Sequence, residues 1–412
     1  MKNTLLLCAS PTEPLASDEM SSSRLTRQPY KAVYTLLFVA TLPLRVFATL
    51  IYYIPKPLRQ NPTWTYHQAV GNRVFGIWWR FATAIEFRAA KTLKPGSEKE
   101  RFVVISPPSS SSTAPSPYVG IANSDPAIVP STIGGAWYVS APKPGEVPAR
   151  VVLYFHGGAY VMGGVRKLEG GWGPSVLSKA MGCPVLLPQY RLSVEDNASF
   201  PAALQDAITA YSYVLNELKV PATDIVLAGE SAGGNLALAL VRYLTDEGAA
   251  TGLPLPRAAL LWSPWLDLAT DPVAVDRHPR LAQDYIFGTL MAWGVRRFTP
   301  TGWSSGHPYL SPLGNEFYSA VPLFVHTGTV ELIYEDHVKY AQRMRENGTR
   351  VELLETPEAP HDIFGAGIIL GFIKEAHEAA AHAARFVDEV GAVDGKGGEE
   401  ESAVRKRAGA GS

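Results

Sequence analysis

The sequence predicts an α/β fold: a mostly parallel central sheet of about eight strands flanked by helices, preceded by an N-terminal helical cap or membrane-associated segment. Three observations predict it. Continuous apolar runs such as 151–155 (VVLYF) and 225–228 (IVLA) suit strands buried on both faces. Helical patterns alternate with these runs, the order expected of strand–helix–strand units around a parallel sheet. With 46% hydrophobic and 18% charged residues in 412, the chain can fill a large core and still carry extensions.

The elements follow in order. Residues 1–30 are polar and Ser-rich, ending near Arg24, Arg27 and Lys31, and read as a flexible tail. Residues 31–98 read as hydrophobic N-terminal helices. Within them 32–54 carry a single charge, Arg45, over 23 residues, long enough to cross a bilayer. A central Arg and Pro43 offset much of the apolar gain, so a membrane-associated helix and a lid packed on the following domain are both open readings. The late start and the lack of a small-residue cleavage site argue against a removed signal peptide. Residues 62–90 have amphipathic spacing, with Trp64, Trp78, Trp79 and Phe81 either extending a membrane contact or covering a site. Residues 99–390 read as one catalytic domain. Its strands are expected at 101–105, 135–140, 150–155, 184–189, 224–229, 257–262, 321–327 and 349–355, and its helices at 201–218, 232–246, 333–347 and 370–389. The Pro/Ser-rich 106–118 is a loop. Residues 391–412, Gly-rich and charged, read as a disordered tail.

Composition excludes several function classes. The formal net charge of −1 gives no basic surplus for nucleic acid. Cys8 and Cys183 are too few for a disulfide framework. No CxxC, HExxH or acidic calcium loop is present, so neither a metal nor a cofactor is expected.

Strand 224–229 runs directly into Gly229-Glu230-Ser231-Ala232-Gly233, followed by a helical pattern. A Ser on a sharp strand-to-helix turn is lifted above the sheet as an exposed nucleophile. Gly229 and Gly233 leave room for neighbouring chain, and the helix start favours developing negative charge. A second GxSxG, Gly302–Gly306 around Ser304, has no apolar strand before it and His307-Pro308 after it, so context selects Ser231. Strand 150–155 ends in His156-Gly157-Gly158-Ala159-Tyr160. Acyl transfer needs fixed N–H donors for an oxyanion, and Gly157, Gly158 and the N–H of Ala232 are the expected donors. His156 is expected to support the loop rather than act as a base.

These motifs, with Tyr190-Arg-Leu192, Phe200-PAALQ-Asp206, Gly229-ESAGG-Asn235, Ser311-Pro-Leu313 and Gly328-TVE-Leu332, resemble the hormone-sensitive-lipase-like family of α/β-hydrolases over roughly residues 100–388. The resemblance implies the α/β-hydrolase fold and a serine esterase with a Ser–acid–His triad and an N-terminal cap. Ala159 stands where many members have a third Gly, and His307-Pro308-Tyr309 where many have Asp-Pro.

In this fold the acid and then the base follow the nucleophile along the chain. His361, in a loop after strand 349–355, can swing over the sheet to Ser231. His337, His377 and His382 fall on helices and read as solvated faces; His326 lies inside a strand and reads as buried and satisfied. Glu331, Glu335 and Asp336 follow strand 321–327; Glu331 is nearest the strand end, and the resemblance places it in the acid slot. The expected triad is Ser231, Glu331 and His361, with the acid holding the imidazole tautomer.

The expected activity is hydrolysis of small-molecule carboxylic esters, with lipophilic substrates suggested by the N-terminal segment and an endoplasmic-reticulum-type membrane, or alternatively the cytoplasm, as its place. The aromatic stretch 278–310, with Tyr285, Phe287, Met291, Trp293 and Trp303, supplies either pocket wall or packing. The alternatives are a biosynthetic hydrolase of one natural-product ester, lactone or thioester, and a non-catalytic ligand-binding member of the fold. Asn197 and Asn347 head potential glycosylation triplets.

Overall fold

The computed structural model describes residues 24–89, 91–108, 115–143 and 145–390. Cys8, the tail residues 1–23 and the expected tail 391–412 lie outside the described residues.

Two helices come first, α1 (Tyr30–Tyr52) and α2 (Tyr66–Ala84). Thr65 caps α2 reciprocally with Gln68, so the helix starts four residues later than its amphipathic pattern. Eight strands follow: β1 (Phe102–Ile105), β2 (Ile133–Tyr138), β3 (Val151–Phe155), β4 (Val185–Gln189), β5 (Ile225–Glu230), β6 (Ala258–Trp262), β7 (Leu323–Gly328) and β8 (Val351–Thr356). The helices among and after them are α3 (Trp172–Met181), α4 (Ala202–Ser212), α5 (Ala232–Thr251), α6 (Pro272–Asp276), α7 (Gly288–Phe298), α8 (Tyr334–Glu346), α9 (Ile363–Leu370) and α10 (373–390).

The strands form one sheet in the order β1-β2-β4-β3-β5-β6-β7-β8. The β1–β2 and β2–β4 pairs are antiparallel and all others parallel. Alternation shows why both faces are covered. Val151, Leu153, Phe155, Leu227, Ala259 and Leu261 join one buried cluster, while Val152, Tyr154, Val226, Ala228, Leu260 and Trp262 join another on the opposite face.

Each expected strand is present, and the largest offset is at β2, which lies two residues ahead of 135–140. Tyr138 pairs with Val185, and the next N–H, on Val139, leaves the ladder for Ser178 Oγ at 3.2 Å. The expected helix 370–389 is α10, which starts at 373 because Gly371, at φ 78°, ends the unanticipated α9 just before it. α3 and α7 are further helices that the sequence reading did not anticipate.

The parallel strands β3, β5, β7 and β8 all end on the same side. Segments 156–158, 231, 331 and 361 therefore converge at the carboxyl edge of the sheet, where open α/β sheets hold their ligands.

Candidate active site

Ser231 sits between β5 and α5 at φ 49°, ψ −117°, a strained conformation for a side-chain-bearing residue. Its surroundings leave no room for larger neighbours. A Cβ on Gly229 would lie 2.2 Å from Gly233 O, and one on Gly233 would lie 2.0 Å from Phe155 O. The turn is held by Ser231 N–H donating to Trp262 O and Trp265 N–H donating to Ser231 O, both at 2.9 Å.

His361 Nε2 is 3.0 Å from Ser231 Oγ, and His361 Nδ1 is 3.0 Å from Glu331 Oε2. The other carboxylate oxygen of Glu331 accepts from Ser263 Oγ at 2.6 Å and from Gly328 N–H. Ser263 Oγ also accepts from Asp362 N–H at 3.1 Å, tying the acid loop to the base loop. Burial pushes Glu331 up to about 7, against the pull of His337 and of the Gly328 and Ser263 hydrogen bonds. Burial pulls His361 down to about 4, opposed by Asp284. Both groups are thus drawn toward their neutral forms. Glu335 lies outside the cluster and pairs with Arg280 at 2.5 Å. Ser304 lies in the 299–310 turn region, away from this cluster.

Three features here have no signal in the sequence. Asp284 is buried and accepts from Tyr285 N–H (2.7 Å), Leu332 N–H (2.8 Å) and His361 N–H (3.4 Å), so one carboxylate joins the loop before α7 to both the acid and base loops. Burial raises it to about 6. Ser263, at φ 43°, is the second. The third is His337, which corrects the expectation of a solvated helix face. It is fully buried, with Nε2 2.8 Å from Pro264 O and Nδ1 2.7 Å from Thr327 Oγ1, directly behind the acid. Burial holds it below the usual imidazole range. Only assembly of the sheet brings these residues together. His326 is buried as expected, its Nε2 2.8 Å from Thr356 Oγ1, but its Nδ1 has no partner among the described residues. His377 is exposed on α10, and His382 bonds Glu352.

In the glycine loop, Gly157 N–H donates to Glu230 Oε1 at 3.1 Å, so this expected donor is already engaged. Gly158 takes φ 112°, which only glycine tolerates, and a Cβ there would meet Met162 O at 2.3 Å. His156 stacks on Tyr190 with ring centroids 4.4 Å apart, its Nδ1 lies 2.8 Å from Gly157 O, and Tyr190 Oη donates to His156 O at 2.7 Å. Burial lowers the imidazole to about 3, a neutral loop support. Asn235 accepts from Tyr160 Oη at 2.6 Å, joining two of the quoted motifs, and donates to Trp265 O and Leu310 O. Arg191 and the buried Asp206 join two more through a guanidinium–carboxylate pair.

A cavity of about 650 Å³ opens over Ser231. Its polar floor includes Gly157, Gly158, Ser231 and His361; its roof is Val74, Phe75, Trp78 and Trp79 of α2. Tyr285 and Met291 line it, whereas Trp293 is core and Trp303 packs on Phe200 and His307. Phe287 lies under Arg80, 4.4 Å from ring to guanidinium. α2 thus lines the cavity over Ser231. Three anchors hold α2 and its approach: Trp64 Nε1 donates to Glu358 O at 2.7 Å, Asn72 Nδ2 donates to Gln283 O at 3.2 Å, and Glu86 pairs with Arg296 and Arg297. Among the described residues no group of three or more His, Cys, Asp or Glu side chains could hold a metal ion.

A protein-family model described as the alpha/beta hydrolase fold matches residues 152–365. An acetyl-hydrolase of Streptomyces hygroscopicus is 34% identical over 222 residues, 53% of this chain and 70% of that protein. The ethyl acetate hydrolase of Pseudomonas putida is 27% identical over 233 residues, 55% of this chain and 69% of that one. Among solved structures, a hormone-sensitive lipase from a metagenome library superposes with a TM-score of 0.52 at 23% identity, covering 62% of this chain and 82% of its own, a likeness of fold.

Proposed function

The chain belongs to the α/β-hydrolase fold family and is a carboxylic ester hydrolase; on that premise we propose that it works through a Ser231–His361–Glu331 triad on small lipophilic esters. The observation that carries this reading is the unbroken chain Ser231 Oγ–His361 Nε2 and His361 Nδ1–Glu331 Oε2, each link 3.0 Å, at the floor of an apolar-roofed cavity.

His361 takes the Ser231 proton as Oγ attacks the ester carbonyl, and the resulting imidazolium is stabilised by Glu331. The tetrahedral oxyanion is held by backbone N–H groups. Glu230 occupies the N–H of Gly157, so we assign the donors to Gly158 and Ala232. The alcohol departs with the proton from His361. Water, deprotonated by the same imidazole, then releases the acid and restores Ser231. The aromatic roof excludes bulk water and favours apolar acyl or alcohol groups; the acetyl esters named for the relatives fit within it.

The same reading includes membrane association through residues 32–54, in an endoplasmic-reticulum-type setting. Its support is that α1 is long and apolar enough and turns Leu36, Leu44 and Phe47 outward.

Hydrolysis of a p-nitrophenyl ester series by the full chain tests the triad. Ser231→Ala is expected to lower kcat by roughly 10⁴–10⁶-fold with an unchanged fold. A loss under tenfold, or turnover by neither protein, overturns the reading.

A further inference from the structure

Resting on the membrane association proposed above, we infer that residues 24–85 form a lipid-docking hairpin. In it α1 lies flat in the surface of an anionic leaflet rather than crossing the bilayer, and the cavity mouth faces that leaflet.

Two independent observations carry this. The first is how α1 sits. It runs antiparallel along α2 and touches it at both ends: Phe38 stacks on Phe81 at 3.8 Å near the start, and Tyr66 Oη donates to Leu50 O at 2.8 Å near the end. Tyr34, Phe38 and Leu42 face inward with Thr49 and Tyr53, while Val33, Leu36, Leu37, Leu44, Phe47 and Ile51 lie opposite on a broad exposed apolar face that Val39 and Leu50 widen. A spanning helix needs about 20 residues clear of the domain. Crossing in this arrangement would drag α2 to membrane depth with its exposed Arg73 and Arg80, a large cost for each charge. α2 cannot follow, because the Trp64, Asn72 and Glu86 anchors fix it and its approach to the catalytic domain. One apolar stripe facing outward along a helix held lengthwise is the geometry of an in-plane helix.

The second observation is charge. Between Arg24 and Ile85 the sequence has eight Lys and Arg and no Asp or Glu, in a chain whose net charge is −1. The exposed Arg24, Arg27 and Lys56 flank the two ends of α1, where headgroup phosphates and carboxylates would meet them, while Arg59 donates to the Tyr53, Ile54 and Trp64 carbonyls. This is charge complementarity to an anionic lipid surface.

The hairpin also connects that surface to the site. Trp78 contacts Phe81, the residue on which α1 stacks, and lines the cavity beneath. Leu168, 98% exposed, and the half-exposed Ile369 complete an apolar rim. An ester partitioned into the leaflet reaches Ser231 along this rim without passing through bulk water.

The test uses the full chain with Cys8→Ser and Cys183→Ser, and an environment-sensitive fluorophore on Val33→Cys, Leu44→Cys or Ile51→Cys in turn. Each form is bound to phosphatidylcholine vesicles with or without phosphatidylserine, and depth is read by quenching from spin-labelled lipids. A flat α1 gives the same shallow depth at all three positions and tighter binding to the phosphatidylserine vesicles. A spanning α1 separates positions 33 and 44 by about 16 Å along the normal and overturns the inference. So does equal binding to both vesicles, or none. The combined Arg24→Glu, Arg27→Glu and Lys31→Glu chain is expected to bind anionic vesicles at least tenfold more weakly while hydrolysing soluble p-nitrophenyl butyrate at the parent rate. Loss of that hydrolysis by the parent chain, with vesicle binding intact, would sink the esterase reading and leave the docking inference standing.

Discussion

Around Ser231 the chain is held by backbone: the carbonyl of Phe155 stands 2.0 Å from where a Gly233 Cβ would be, and four strand ends meet within hydrogen-bonding reach. Across the α1–α2 seam the contact is a few rings, Tyr34 and Phe38 on Phe81, with a single hydroxyl at the far end. The first region has one solution and tolerates almost no volume change; the second is a soft, replaceable seam. The candidate catalytic geometry lies where packing is rigid, and the apolar α1 lies where packing is loose. Each of the following substitutions tests that contrast.

The largest effect on turnover should come from Gly233→Ala. The new methyl has nowhere to go without moving the β3 carboxyl end, so we expect at least about 3 kcal/mol of destabilisation in denaturant unfolding and no measurable ester turnover. A fully folded, active variant would show that the elbow is softer than its geometry indicates.

Asp206→Ala comes next. It strands the Arg191 guanidinium, which otherwise forms a buried, multiply hydrogen-bonded pair, and such losses cost about 3–5 kcal/mol. The expected readout is a lower unfolding midpoint; kcat on short esters stays near the parent value wherever the protein is folded.

Asp284→Asn should act on chemistry more than on stability. Leu332 N–H and His361 N–H lose a charged acceptor, and we expect kcat to fall about tenfold. The pH profile distinguishes this from simple loosening. In the parent, the reactive form has neutral His361 and ionised Glu331, and burial pushes Glu331 up to about 7. Activity should therefore fall as pH drops through about 7, when the proton returns to the pair, and level off on the alkaline side. The Asp284 carboxylate raises the proton affinity of its neighbours, so removing its charge shifts this acid limb to lower pH. An unmoved limb would reduce Asp284 to a structural hydrogen-bond acceptor.

Phe38→Ala should be the mildest. It removes one stacked pair, worth about 0.5–1.5 kcal/mol beyond its area. Faster amide exchange confined to residues 30–52, with the global unfolding midpoint unmoved, is the expected result. A cooperative loss of the whole domain would mean that the hairpin and the sheet form one rigid unit, erasing the contrast.

Much of this protein is written locally. The inner strands are legible because each is a short run covered on both faces, mostly apolar, and a residue's neighbours along the chain carry that pattern. The elbow at Ser231 and the glycine loop at 156–158 are legible because sharp turns and close backbone approaches admit few residue types. What the sequence could not show are the partners supplied from afar. Asp284 and Ser263 lie in ordinary-looking loops and become important only when β6, β7 and β8 bring residues 263, 331 and 361 together. His337 shows the same limit from the other side: its position on a charged helix suggested solvent, yet packing against β7 buries it completely. So too with the hydrophobic N-terminal segment, whose composition alone fits a span, a lid or a surface helix equally well. Length and hydropathy are properties of one segment, but whether that segment crosses, covers or lies flat depends on what it packs against. What the tertiary structure adds is the packing partner, the Phe81 seam and the anchors of α2, because contact free energy belongs to pairs of surfaces and a single stretch of chain holds only one of them.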